Sequence, residues 1–248
     1  MLLDPWIWIG VFILLAYTVE AITGFGSLVI ALSLGALLLP LSQLIPVMVA
    51  LNVLMSGYMA WRNRRHIHWP TLLKLILPLM LFGTLVGYGL RPWLGDQLLK
   101  AAFGVLVLWF SSRELWRMYH KHTVHAHPPI LSRVLTFGAG ITHGLFASGG
   151  PLLVYAMAGT SLNKSHLRAT LLSVWFSLNS CLCVIFLLDG TLIPSLPRVV
   201  TFIPLLVIGA LLGEFLHHRL NEHRFRVFLY SLLVISGTLL LGKALVDM

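Results

Sequence analysis

Residues 137–160 read FGAGITHGLFASGGPLLVYAMAGT, and residues 16–36 read AYTVEAITGFGSLVIALSLGA. Each is an apolar run broken in its middle by glycine. Overlaid at an offset of 124, the two share Thr18 with Thr142, Gly26 with Gly150, Leu28 with Leu152, Gly35 with Gly159 and, just beyond, Leu38 with Leu162. Glycine inside a helix costs about 1 kcal/mol against alanine, and proline removes a backbone donor. Irregular backbone at membrane depth is tolerated only where protein or a water-filled cavity surrounds it. The two breaks are therefore the first candidates for a substrate site, and the chain around them reads as an all-α, polytopic membrane helix bundle.

Composition agrees. Of 248 residues, 58% are hydrophobic and 10% charged, a balance outside the range of soluble domains. A hydrocarbon core about 30 Å thick takes roughly 20 apolar residues per helix, so about seven to nine crossings fit and no separate soluble domain does. The opening MLLDPWIWIGVFILL lacks the basic region and cleavage site of a signal peptide and reads as a retained first helix. The net charge of +9 gathers at segment ends, as orientation beside anionic lipids requires, and argues against nucleic acid as a partner. Cys181 and Cys183 point about 200° apart on a helix, which suits packing and neither a disulfide nor a metal site.

In chain order, the first apolar stretch covers residues 6–39 and is interrupted at Gly24-Phe25-Gly26. The second, 43–61, ends in Arg62-Asn63-Arg64-Arg65-His66, a basic cluster that the positive-inside rule puts in the cytoplasm. Segments 72–90 and 98–116 follow, separated by a turn-like hexapeptide, 91–96. Pro78, Leu79, Gly83, Leu85, Gly87, Leu90 and Leu94 then recur at an offset of 126 as Pro204, Leu205, Gly209, Leu211, Gly213, Leu216 and Leu220. This is an internal duplication. It divides the chain into a first membrane repeat (1–118), a His-rich cytoplasmic linker (119–131) and a second repeat (132–248), with about eight transmembrane segments and a glycine-broken first segment in each half. Four crossings per half make the repeats parallel, with both termini cytoplasmic and the basic turn after His217 outside. Five per half make them inverted. Gly83 to Gly87 and Gly209 to Gly213 are G-x-x-x-G spacings suited to close helix packing.

The Gly24-Phe25-Gly26 break, paired with the run Gly140, Gly144, Ser148, Gly149, Gly150 and Pro151, resembles the TauE/SafE sulfite exporter family, also called the toluenesulfonate uptake permeases. The duplicated layout and the length fit as well. The resemblance implies a secondary transporter or facilitator of sulfite, sulfonates or related small organic anions in the bacterial inner membrane. Its fuller Gly-x-Gly-Gly-Gly form stands here as Ala147-Ser148-Gly149-Gly150-Pro151.

A small oxyanion needs hydrogen-bond donors and positive potential, and backbone N–H groups at a broken helix supply both. Gly24, Phe25 and Gly26 with Ser148, Gly149 and Gly150 would form a two-sided cradle. Asn52 and Asn179 are lone amides in apolar runs, either donors to the anion or interhelical bonds. Arg168 is the cation best placed to attract it. Glu20 and His143, brought close by the 124 offset, are the candidates for proton coupling. Glu214 is expected to pair with His217, His218 or Arg219. Four histidines in residues 120–127 lack carboxylate partners and a scaffold, so no metal and no cofactor is expected. The partners are a small anion, the lipid bilayer and protons, with a homodimer as the candidate assembly. Two other classes compete: a non-transporting membrane subunit or assembly factor, and an intramembrane hydrolase. The second lacks H-E-x-x-H and G-x-S-x-G, and Ser148 and His143 lie on different helix faces, so the chain reads as no enzyme.

Overall fold

The structure of the protein is a computed structural model that describes residues 4–120, 127–157, 162–217 and 222–246, with backbone alone at 164, 217 and 222. Every regular element among them is helical. Six stretches are long and apolar enough to cross a membrane: Pro5–Thr23, Leu41–Arg62, Trp69–His120, Ser165–Leu188, Ile193–Leu216 and His223–Val246. The third holds 52 residues, about twice what a bilayer needs.

The first glycine break makes a hairpin. Helix α1 (Pro5–Thr23) starts on the Asp4 cap, whose carboxylate accepts the Trp6 N–H at 3.1 Å. It stops at Gly24, whose φ of 83° is left-handed and whose N–H donates to Glu20 O at 2.7 Å. Gly26, at φ 100°, then opens α2 (Ser27–Gly35). Two positive φ values within three residues are cheap only for glycine. Helix α2 runs back along α1, so that a Cβ on Gly35 would sit 3.2 Å from Ile9 and 3.0 Å from Leu44 of the next helix. The second break does the same. Helix α6 (Pro129–Phe146) ends at Ala147, φ 53°, and α7 (Gly150–Ala156) returns along it until Ser132 Oγ donates to Ala156 O at 3.0 Å.

Between and after the hairpins run α3 (Leu41–Arg62), the short α4 (Trp69–Thr71), a π turn (Leu72–Ile76), α5 (Leu77–His120), α8 (Lys164–Leu188), α9 (Leu196–His217) and α10 (Glu222–Val246). The hexapeptide 91–96 is no open turn. Pro92 sits inside helix, and the chain breaks at Gly95 alone, φ 65° and ψ 162°. Asp96 then accepts the Leu41 N–H at 3.1 Å, tying the bend to the start of α3.

Both G-x-x-x-G pairs do pack helices. Gly83 and Gly87 of α5 face the backbone of α6, where an added Cβ would overlap the Phe137 and Ile141 carbonyls. Gly209 and Gly213 of α9 face α1 at Leu14, Thr18 and Ala21. Each motif thus closes on the hairpin helix belonging to the other end of the sequence.

Side-chain contacts sort the helix ends into two groups. Arg198 meets Asp4 at 3.7 Å, Lys243 donates to Leu37 O at 2.8 Å, and Tyr88 bonds Asp189, all at the end where α1 begins. At the opposite end Arg62 pairs with Glu214, the His66 and His166 rings lie 5.9 Å apart, and the His68 N–H donates to Thr170 Oγ1 at 3.0 Å. Glu214 therefore takes Arg62 as its partner. The side chains of His217, His218 and Arg219 lie outside the described residues, as do residues 121–126 of the histidine linker. The two cysteines are free and half-buried.

Candidate functional site

The two hairpin tips line one cavity. Glu20 and residues 26–29 bound it on the first hairpin, and residues 147–150 bound it on the second. Asn52 and Trp175, near the middles of α3 and α8, close the sides. The cavity is about 20 Å³ in volume, room for about one or two waters.

Among the described residues Glu20 is the single ionisable one on its wall, and it is 1% exposed. Asn52 holds it: Nδ2 lies 3.0 Å from Oε2, 3.3 Å from Oε1 and 3.0 Å from Ser27 Oγ. Asn179 Nδ2 donates in turn to Asn52 Oδ1 at 2.7 Å, and Ser56 Oγ donates to the Asn52 carbonyl. This chain joins α1, α2, α3 and α8. Membrane helices satisfy buried amides in each other for want of water.

Of the residues singled out in the sequence, Glu20, Asn52, Gly26, Ser148, Gly149 and Gly150 come together on the cavity wall. Asn179 stands one hydrogen bond behind, on Asn52. Gly24 and Phe25 turn away from the cavity. Gly24 lies under the Arg168 side chain, and Thr23 Oγ1 donates to Phe25 O at 2.7 Å. Arg168 is half-buried, and its Nη2 donates to Ala21 O at 2.7 Å. A guanidinium on the last carbonyls of α1 complements the negative end of that helix. His143 is fully buried with its ring stacked on Trp175, centroids 6.1 Å apart at 25°. Glu20 is not its hydrogen-bond partner; among the described residues neither His143 nitrogen has one.

Among the wall residues that escaped the sequence reading, Ser27 and Trp175 are the ones that carry side-chain polar groups. The signal for Trp175 was its depth, because tryptophan in membrane helices concentrates at the interfaces and this one sits mid-helix.

The Arg168 cap yields a test. Arg168→Gln is expected to cost about 1–2 kcal/mol, seen as a lower Tm. Gly24→Ala alone should cost more, because the new Cβ is strained at φ 83° and overlaps Arg168 Cγ. Pairing Gly24→Ala with Arg168→Ala instead removes Cγ and with it the overlap, so the combined loss should be smaller than the sum of the two separate losses.

No group of three or more His, Cys, Asp or Glu among the described residues is arranged to hold a metal ion. No curated protein and no solved structure matches the chain. The family model for the sulfite exporter TauE/SafE matches residues 9–240, nearly the whole length. With six stretches able to span a bilayer and a cavity between two broken helices, the chain is a multi-pass protein of the cell membrane and belongs to the sulfite exporter TauE/SafE family.

Proposed function

We propose that the protein is a secondary transporter that carries sulfite, a short sulfonate or a related small organic anion through the cavity between the hairpin tips, with Glu20 binding a proton alongside. The observation that carries this reading is the meeting of two uncapped backbone breaks on one buried cavity in a transporter family. Glycine at the breaks lets backbone N–H groups approach an anion, and the start of α2 adds its dipole. Among the described residues no lysine or arginine lines the cavity. An anion there meets neutral donors and one carboxylate, so it enters more easily when that carboxylate is protonated.

In this proposal residues 1–118 and 132–248 are inverted repeats joined by 119–131, a layout that suits alternating access around a central site. The element bounds support it. Helices α1 and α6 begin 124 residues apart, and α10 covers the residues 126 beyond positions 96–120 of α5. Between these the offset is 127, both for Asn52 with Asn179 and for Pro70 with Pro197. A π turn takes up one extra residue, and the one at Leu72–Ile76 returns the offset to 126. Counting the limbs of α5 separately and adding α6 gives eight long segments. With the returns of α2 and α7 each half traverses the bundle five times. Glu214 near the end of α9 then lies at the Arg62 end with the basic clusters, which the parallel arrangement could not achieve. That end faces the cytoplasm in this reading.

The test is flux of labelled sulfite and of methanesulfonate in proteoliposomes, with and without a pH gradient. Transport above protein-free vesicles for at least one anion, accelerated by the gradient, is expected. Absence of flux for both under every gradient refutes the reading and returns the non-transporting subunit.

A further inference from the structure

Both amides beside the cavity donate to partners within the protein. Asn52 Nδ2 is shared among Glu20 and Ser27, and Asn179 Nδ2 is given to Asn52. Two polar groups on the wall do not: Trp175 Nε1 and Ser148 Oγ are buried with no hydrogen-bond partner. Trp175 is 6% exposed and Ser148 2%. A buried donor without an acceptor costs about 1–3 kcal/mol, so two on one small wall call for a ligand or water between them. The chemistry of both is instructive. The indole N–H donates only, and the serine hydroxyl can donate. Beside them the first N–H groups of α2 have no side-chain cap and no intrahelical partner.

The indole is also aimed by its surroundings. Gly150 faces its Cζ2 and Cη2 edge, at 3.7 and 3.8 Å from where a Cβ would stand, and Nε1 lies next along that edge from Cζ2. The His143 ring stacks behind. The benzo edge of the indole thus meets the second hairpin tip.

We infer that Trp175 Nε1–H and Ser148 Oγ–H, together with the free N–H groups at the start of α2, form the donor set that holds one compact oxyanion, with Trp175 the residue that limits its size. This rests on the transporter reading above. Donors without charge suit a site that also holds Glu20, because a lysine or arginine there would pair with the carboxylate and leave the anion no partner. A cavity of about 20 Å³ favours a compact anion over an arenesulfonate.

The experiment is calorimetric titration of the purified full-length protein in nanodiscs with sulfite and with benzenesulfonate, beside sulfite flux in proteoliposomes. Trp175→Phe keeps the ring and removes the donor, and Ser148→Ala removes a single oxygen. Each is expected to raise the sulfite Kd about tenfold or more with an unchanged Tm. Wild-type affinity in a folded Trp175→Phe overturns the role of Trp175, and wild-type affinity in Ser148→Ala overturns that of Ser148. If Trp175→Phe does not fold, Ser148→Ala decides the donor set by itself. Benzenesulfonate binding as tight as sulfite in the wild type overturns the size limit. No sulfite binding to wild type overturns the whole inference, whereas binding without flux supports the donor set and refutes the transport reading alone.

Discussion

Replacing Glu20 by glutamine is expected to leave anion flux running but insensitive to pH. Glu20 and the proposed substrate share one cavity, and two negative charges about 5 Å apart at an effective dielectric of about 20 repel by about 3 kcal/mol. That penalty lowers anion affinity more than a hundredfold when Glu20 is ionised. The sign follows: wild-type uptake is fast at acidic pH, where Glu20 carries a proton, and falls as the pH rises and the proton leaves. Glutamine is neutral throughout and keeps an amide that Ser27 and Asn52 can still bond. Methanesulfonate is the substrate of choice because it stays singly charged over the whole range, so any titration belongs to the protein. The wild-type rate should fall about tenfold or more from acid to alkaline pH and the variant rate should stay flat. A Glu20→Gln protein that retains the wild-type pH profile removes Glu20 from the coupling step, and His143 becomes the residue to test.

Gly144→Leu is expected to abolish folded protein. The helices α5 and α6 touch through backbone here: a Cβ at Gly144 would overlap the Thr84 carbonyl and stand 2.6 Å from Tyr88 N and 2.9 Å from Gly87 C. Backbone cannot rotate away as a side chain can, so the helices must separate along the seam formed with Gly83, Gly87 and Gly140. The loss should exceed about 4 kcal/mol, the range reached only by severe overpacking or its equals. Size-exclusion yield after extraction, with Tm, measures it. Gly89→Leu is the control, since Gly89 is exposed and a Cβ there meets nothing within 4 Å. Equal yields from the two variants would mean that the seam is not as close as described.

The same contrast explains how much of the molecule was legible in its sequence. The glycine breaks and the doubled G-x-x-x-G spacing stand out because glycine is costly in a helix and its position is therefore informative. Glu20 stands out because carboxylates are rare in apolar runs. The direction of the chain after each break was not legible. A glycine pair permits a kink, a crossing or a return alike, and the return was decided by tertiary contacts such as Gly35 on Ile9 and Ser132 on Ala156. The partner of Arg168 was hidden for a related reason. Its charge suggested an anion, while its reach is taken up by the carbonyl of Ala21 on a helix distant in sequence. Trp175 read as one more apolar residue despite its mid-helix depth, and its unsatisfied nitrogen at a shared wall singles it out.

The most direct test of the account is to locate the anion itself. Selenite has the shape and charge of sulfite, and its selenium gives an anomalous signal in crystals grown or soaked with it. The account predicts a selenium peak between the hairpin tips, within hydrogen-bond distance of Trp175 Nε1 and Ser148 Oγ, and lost on competition with sulfite. A peak confined to the basic end near Arg62, Arg64 and His166, with none between the tips, would contradict it.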